Sequence, residues 1–286
     1  MANLKEIRNR ITSIGSTMKI TKAMKMVSAA KLKKAQDAIT AMRPYSNKLT
    51  ELLQNLSATL DADAGGVYSE QRNVSKVLIV VVTSNRGLCG GFNSNVIKET
   101  KKVVAEKYQG KQVDLLSIGK KGNDILSKDF KVIDNKSEVF DDLSFENVAA
   151  IAENLMELFV AGSYDKIEVV YNSFKNAATQ LVQVEQFLPI KPVETDVNVS
   201  ADYIFEPQKE EIISALIPKS LKTQLFKALR DSFASEHGAR MTAMHKATDN
   251  ANALRDELLL TYNKARQAAI TNEILEIVGG AEALNA

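Results

Sequence analysis

Apolar residues between positions 4 and 57 fall at Ile7, Ile11, Ile14 and Met18, then Met24, Val27 and Ala30, then Ala35, Ile39, Met42, Tyr45, Leu49, Leu52 and Leu56. These gaps of three and four, with a few shifts of phase, trace one face of a long helix. Asn3 followed three residues later by Glu6 is a capping-box-like start. Pro44 is expected to bend this helix or interrupt one of its hydrogen bonds. At ~1.5 Å per residue the segment approaches ~80 Å, more than a compact domain of this size can contain. A second stripe, Met244, Ala247, Ala251, Leu254, Leu258, Tyr262, Ala265 and Ala269, lies in a segment that begins after Pro218 and runs toward Val278. Its alanines allow two helix axes to approach closely. Either helix alone leaves an apolar stripe in water, so each is the other's nearest partner. Because both join one middle region, they should run antiparallel, as a coiled coil projecting from it.

The middle reads differently. Asp61 to Gly66 has linker composition, and Lys76 to Thr83 is a β-branched run of the kind buried on both faces. The pattern then predicts a helix over Asn93 to Tyr108, a strand over Val113 to Ile118 and a helix over Lys120 to Asp129. A helix follows over Phe145 to Ala161, then strands over Ile167 to Phe174 and Leu181 to Pro189, and a short one over Ala201 to Phe205. Such alternation indicates an open, three-layer α/β sheet with an antiparallel pair late in the order. The predicted fold class is thus α/β, a long antiparallel coiled coil of the terminal helices plus a three-layer open-sheet domain. Its spans are 1–60 for the first shaft helix, 67–206 for the base and 207–286 for the second.

Composition sharpens the two ends. The chain of 286 residues has 13 Gly and 5 Pro, but residues 1–60 hold only Gly15 and Pro44, and residues 219–278 only Gly238. Those three are where a long helix should bend or be most compliant, while Gly279 and Gly280 carry the usual mark of a helix end. The longest aliphatic run, Val77 to Val82, is far short of the ~20 residues of a membrane helix. Residues 1–60 carry 11 Lys/Arg against 3 Asp/Glu, whereas residues 61–200 carry 16 against 20. That first segment is basic, Ser/Thr-bearing and nearly acid-free, as transit peptides are, but its apolar period runs on to Leu56 with no cleavage-like change.

A basic arm calls for an acidic partner. Nucleic acid would find phosphate contacts in Lys5, Arg8, Arg10, Lys19, Lys22 and Lys25, yet residues 1–44 contain no aromatic residue to stack bases. The same lack of Trp and Phe disfavours a membrane surface. An acidic protein is the partner that composition favours. The turn Thr83 to Asn93, between a strand and a helix, lies where α/β folds bind phosphates, but its glycines match neither phosphate-loop spacing. It reads as a tight structural turn. Cys89, the one cysteine, could be a nucleophile at a helix start; both histidines lie on the second long helix, so no base is at hand and a buried structural role is favoured. His237 and His245 are eight apart, form no two-histidine metal face, and are assigned to a solvated helix surface.

Four blocks carry a resemblance. ITSIGSTMKITKAMKMVSAAKLKKAQ at 11–36, TSNRGLCGGFN at 83–93, ASEHGARMTAMHKATDNA at 234–251 and TYNKARQAAITNEILEIVGGA at 261–281 resemble the gamma subunit of F-type ATP synthase, in order and over nearly the full length. The resemblance implies the central-stalk rotor of a proton-translocating synthase, with catalysis in beta and no catalytic residue, metal or cofactor of its own. It implies partners in the alpha and beta subunits, epsilon and the membrane c ring, with no nucleic acid and no bilayer insertion. The implied place is the cytoplasmic face of a bacterial inner membrane. By motif match, Met24, Lys25, Arg240, Gln267 and Thr271 fall on shaft-to-beta coupling positions, and Tyr203, Phe205 and Glu206 near the c ring and epsilon. Without the family, Met24 reads as a seam residue and Gln267 and Thr271 as a polar helix face. Lys25 stands where the family commonly has glutamate, and Asn85 where aspartate is frequent. The open alternative from another class is a basic coiled-coil nucleic-acid-binding protein.

Overall fold

The computed structural model describes residues 4–57, 66–190 and 209–285. The linker at 61–65, the strand expected at Ala201–Phe205, and Tyr203, Phe205 and Glu206 lie outside them. Five strands form one sheet: β1 Lys76–Val82, β2 Gln112–Ile118, β3 Lys131–Asn135, β4 Lys166–Phe174 and β5 Gln180–Leu188. Their order is β3-β2-β1-β4-β5. The first four are parallel, and β5 runs antiparallel to β4. The late antiparallel pair is therefore where the pattern put it.

β1 is central, and six of its seven residues are buried. Its side chains alternate between two cores, as a strand period of two demands. Leu78, Val80 and Val82 enter one core; Val77, Ile79 and Val81 enter the other. The second core is closed by α2, Phe92–Lys107, through Val96 and Val103, and by α3, Lys120–Leu126, through Leu126. The first is closed by α4, Phe145–Val160, through Leu155 and Phe159. It is shared with Leu221, Leu225 and Leu229 of α5, Lys209–Asn285. At ~1.5–3 kcal/mol for each fully buried large aliphatic or aromatic side chain, these two cores hold the unit together.

Two expectations change here. The strand β3 was not foreseen, because KVIDN offers only two apolar residues; it forms by pairing with β2 at the sheet edge, with a register shift between Leu115 and Leu116. The helix expected to reach Asp129 accordingly stops at Leu126. Nor does the last helix start after Pro218. α5 begins at Lys209 and carries Pro218 inside it. The lost backbone bond is outweighed by burial of Ile217, with Ile212 and Leu216 packed alongside, in the α4 core.

The first helix, α1, covers Leu4–Ser57, 54 residues, and α5 covers 77. Helix continues through Gly15, Pro44, Gly238, Gly279 and Gly280. Gly238 has a packing reason: a Cβ there would stand 3.2 Å from Ala177 Cα and 3.3 Å from Ala177 O. Two compact units emerge, Met1–Ser28 with Met241–Ala286, and Ala29–Arg240.

Within the second unit, Lys31 acts electrostatically on Glu236 and His237, and Lys219 Nζ lies 5.9 Å from the Tyr45 ring centroid. Rising positions on α1 thus meet falling ones on α5, and the helices are antiparallel. Within the first unit, Thr21 Oγ1 and Thr248 Oγ1 are 2.8 Å apart.

On α1 every one of positions 7, 11, 14, 18, 21, 25, 28, 32, 35, 39, 42, 46 and 49, an unbroken alternation of four and three, is buried or half-buried, with half-buried flanking positions such as 15, 24, 29, 36 and 38 beside them. That is the 3.5-residue period of a left-handed coiled coil. It corrects the middle of the expected stripe. Val27 and Ala30 face outward, while Thr21, Lys25 and Ser28 take the inward positions, because the seam follows a constant pitch rather than every apolar side chain. Tyr45 is displaced in the same way by Ser46. On α5, positions 244, 248, 251, 255, 258, 262, 265 and 269 repeat the alternation, so Arg255 replaces Leu254 in the seam.

Candidate functional site

The turn after β1 is built by its own side chains. Asn93 Oδ1 accepts from Ser84 N at 2.9 Å, and Asn93 Nδ2 donates to Ser84 Oγ at 2.8 Å and to Cys89 Sγ at 3.3 Å. One residue at the start of α2 thereby draws both ends of the turn together. Thr83 Oγ1 accepts from Gly122 N at 2.8 Å, and a Cβ on Gly119, whose φ is +122°, would stand 2.1 Å from Thr83 O. Only glycine fits there. Asn85 accepts from Lys120 N at 3.1 Å and donates to Ser137 O at 2.9 Å. An aspartate could make the first bond but not the second, so this departure from the family pattern adds a tie between the turn and the segment after β3.

Cys89 is buried and packs with Phe92 and Ala239. Burial pushes its thiol up, with Glu236 adding to the rise and Ser84, Arg240 and Asn93 opposing it. A raised thiol that packs in a core is structural rather than nucleophilic, as the sequence suggests. Leu88, at the tip, is 67% exposed and holds a left-handed backbone with φ +63°.

α5 closes the open end of the sheet over this turn. Arg240 Nη2 donates to Arg86 O at 3.0 Å and Gly87 O at 3.3 Å, and Arg240 Nη1 pairs with Glu236 Oε1 at 2.5 Å. Ser235 Oγ donates to Asn172 O at 3.1 Å, and Asn172 Nδ2 to Phe92 O at 3.2 Å. Burial raises Glu236, while Arg240, Lys31 and Arg86 oppose the rise. His237 is not on a solvated surface, as the sequence had suggested. It is buried edge-on against Phe233, with ring centroids 4.5 Å apart and both ring nitrogens unpartnered. Desolvation, helped by Arg240 and Lys31, lowers it to about 4, so it is neutral at neutral pH. His245 is exposed, with Nδ1 3.2 Å from Asp249 Oδ2.

The remaining sequence-derived positions lie in the helix-pair unit. Met24 and Lys25 are half-buried on α1, and Met24 O accepts from Ser28 Oγ at 2.8 Å. Gln267 and Thr271 are exposed one turn apart on α5, and Thr271 Oγ1 donates to Gln267 O at 3.0 Å. Arg240 is buried in the sheet unit. Sequence reasoning missed Glu236 and the Thr21–Thr248 pair. The first was legible as an acid four residues before an arginine on one helix, the second as Thr21 and Ser28 seven residues apart in the seam period.

A family model described as ATP synthase matches residues 3–284. The ATP synthase gamma chain of Flavobacterium psychrophilum is 75% identical over 285 residues, 99% of this chain and 99% of that protein. Among solved structures, a chain of the Tetrahymena thermophila mitochondrial ATP synthase central stalk and c ring aligns with TM-score 0.61 at 27% identity, covering 80% of this chain and 99% of that one. A chain of the Euglena gracilis mitochondrial ATP synthase aligns with TM-score 0.71 at 20% identity, covering 98% and 94%, which bears on the fold alone.

Proposed function

The chain belongs to the ATP synthase gamma chain family, and on that premise we propose that it is the central-stalk rotor subunit of a proton-translocating F-type synthase. It carries torque between a membrane c ring and a catalytic head of alpha and beta subunits. The observation that carries this reading is the helix pair: 54 and 77 residues of uninterrupted helix joined by a 3.5-residue seam. A rod that twists under load needs long continuous helices, and both run on through two prolines and four glycines, each proline removing one backbone hydrogen bond.

A shaft imposes different states on surrounding sites only if its faces differ. α1 presents exposed Lys19, Lys22, Lys31, Lys33 and Lys34, whereas α5 from 270 to 281 is exposed at every position and carries Ile270, Ile274, Leu275, Ile277 and Val278. The lysines suit an acidic lever loop of beta. Pairs of this kind contribute ~0–1 kcal/mol each, which suits contacts that form and release on every turn. The apolar end suits a close-fitting sleeve in the head.

Met24, Lys25, Gln267 and Thr271 are assigned to coupling with beta, Arg240 to coupling from the base, and Tyr203, Phe205 and Glu206 to the c ring and epsilon. The functional division follows the spans 1–60, 67–206 and 207–286. ATP chemistry belongs to beta, and nucleic acid is not a partner. The site of action is the cytoplasmic face of a bacterial inner membrane, held peripherally; among the described residues no helix is long and apolar enough to cross a membrane.

The test is reconstitution of the head on proteoliposomes with and without this chain. ATP-driven proton uptake should require it, and equal uptake without it would sink the reading. The purified chain alone should hydrolyse no ATP.

A further inference from the structure

Two successive carbonyl groups of the 83–93 turn converge on one guanidinium group, that of Arg240. The second, Gly87 O, belongs to the peptide that leads directly into Leu88. A leucine with φ +63° persists only where its surroundings fix it, because Cβ crowds the following carbonyl in that region. Arg86 O also accepts from Ser84 Oγ at 2.7 Å, so the 86–87 peptide is gripped from two sides.

The guanidinium is itself oriented. One nitrogen is committed to Glu236 and the other to the carbonyls, a division that requires the planar fork of arginine. Glu236 lies among Arg240, Lys31 and Arg86, whose charges partly offset the burial that raises its carboxyl. α5 supplies both partners from positions one helical turn apart. Any rotation of α5 about its axis at this level displaces the fork, and with it the two peptides.

We propose that Arg240 is a positioning residue: oriented by Glu236, it clamps the 86–87 and 87–88 peptides, sets the left-handed backbone on which Leu88 projects, and exerts its coupling effect through that turn. The inference rests on the central-stalk reading, and it assigns this position a route that does not require Arg240 itself to touch another subunit.

The sole cysteine reports on the clamp. Cys89 follows Leu88, is buried, and accepts from Asn93, so its alkylation requires the turn to open. In the assembled complex, labelling of this chain is read by intact mass, alongside ATP-driven proton uptake. Arg240→Lys keeps the charge facing Glu236 but cannot fork, and should speed labelling about tenfold while lowering proton uptake per ATP. Glu236→Gln keeps the guanidinium but loosens its aim, and should speed labelling less; it serves if Arg240→Lys does not assemble.

Adding Leu88→Asn to Arg240→Lys should return labelling to within about threefold of the unaltered complex, because asparagine tolerates the left-handed region. A general loosening of α5 would not respond to that change. Unchanged labelling with lost coupling would place the action of Arg240 elsewhere, and failure of Leu88→Asn to restore labelling would overturn the clamp. Faster labelling with intact coupling would remove the turn from torque transfer. The labelling results stand apart from the rotor reading, whose own failure shows as unaltered complex that takes up protons equally well without this chain.

Discussion

The sheet unit and the helix-pair unit treat apolar residues in opposite ways. In β1 every residue from Val77 to Val82 is buried. On α1, Ile20, Met26 and Val27 are each more than half exposed, while Thr21 and Ser28 are buried. A sheet covered on both faces has room for any apolar side chain, so chemistry decides burial there. Two helices meet along one narrow seam, so angular position decides. The apolar side chains left outside, together with the exposed end of α5, mark a surface that the described residues do not cover.

The largest test of that contrast is Phe159→Ala. It empties a fully buried site in the α4 core and should lower stability by ~3–5 kcal/mol. Urea unfolding of the full chain measures it, and a loss below about 1 kcal/mol would mean that the sheet core is not packed as described.

Next comes pH. His237 is lowered to about 4 from an ordinary 6.5, so between those values the unfolded chain binds the extra proton and stability falls as pH falls. A shift of this size corresponds to roughly 3 kcal/mol, fully present above pH 6.5 and gone below about 4. The raised Glu236 works in the opposite sense, so the informative quantity is the difference between the unaltered chain and His237→Phe across pH 4–7. That difference should shrink steadily with falling pH relative to a neutral-pH reference; a flat difference contradicts the buried, neutral assignment.

A smaller effect concerns the seam. Thr21→Val alone leaves Thr248 without its cross-helix partner and should cost about 1 kcal/mol, whereas Thr21→Val with Thr248→Val should be nearly neutral. Thermal unfolding of the four chains of the cycle gives a coupling of about 1 kcal/mol if the hydroxyls meet. Additive losses would separate them. The smallest effect is Val27→Ala, which should stay within ~0.5 kcal/mol despite removing two methyl groups, since that side chain faces water. A loss comparable to that of a core valine would erase the contrast between the units.

The two regions differ already in their sequences. Long stretches poor in glycine and proline, with apolar gaps of three and four, made α1 and most of α5 legible, and the β-branched run at 76–82 made the central strand legible. β3 was not, because its pairing energy comes from β2 and its own residues are mostly polar. The start of α5 at Lys209 leaves no local trace past Pro218, since the core that receives Ile217 lies far away in sequence. Of the candidate site, Arg240 was visible through its motif, but its acceptors were not: Arg86 O and Gly87 O are backbone atoms 154 and 153 positions away and leave no side-chain trace.

Periodicity and composition thus determined the long helices and the central strand, because helix and strand repeats follow from backbone geometry that every residue shares. Tertiary structure alone decided which polar groups are buried. His237, Thr21 and Ser28 look like surface residues one at a time, and only the fixed pitch of the seam and the closure of α5 over the turn take them out of water.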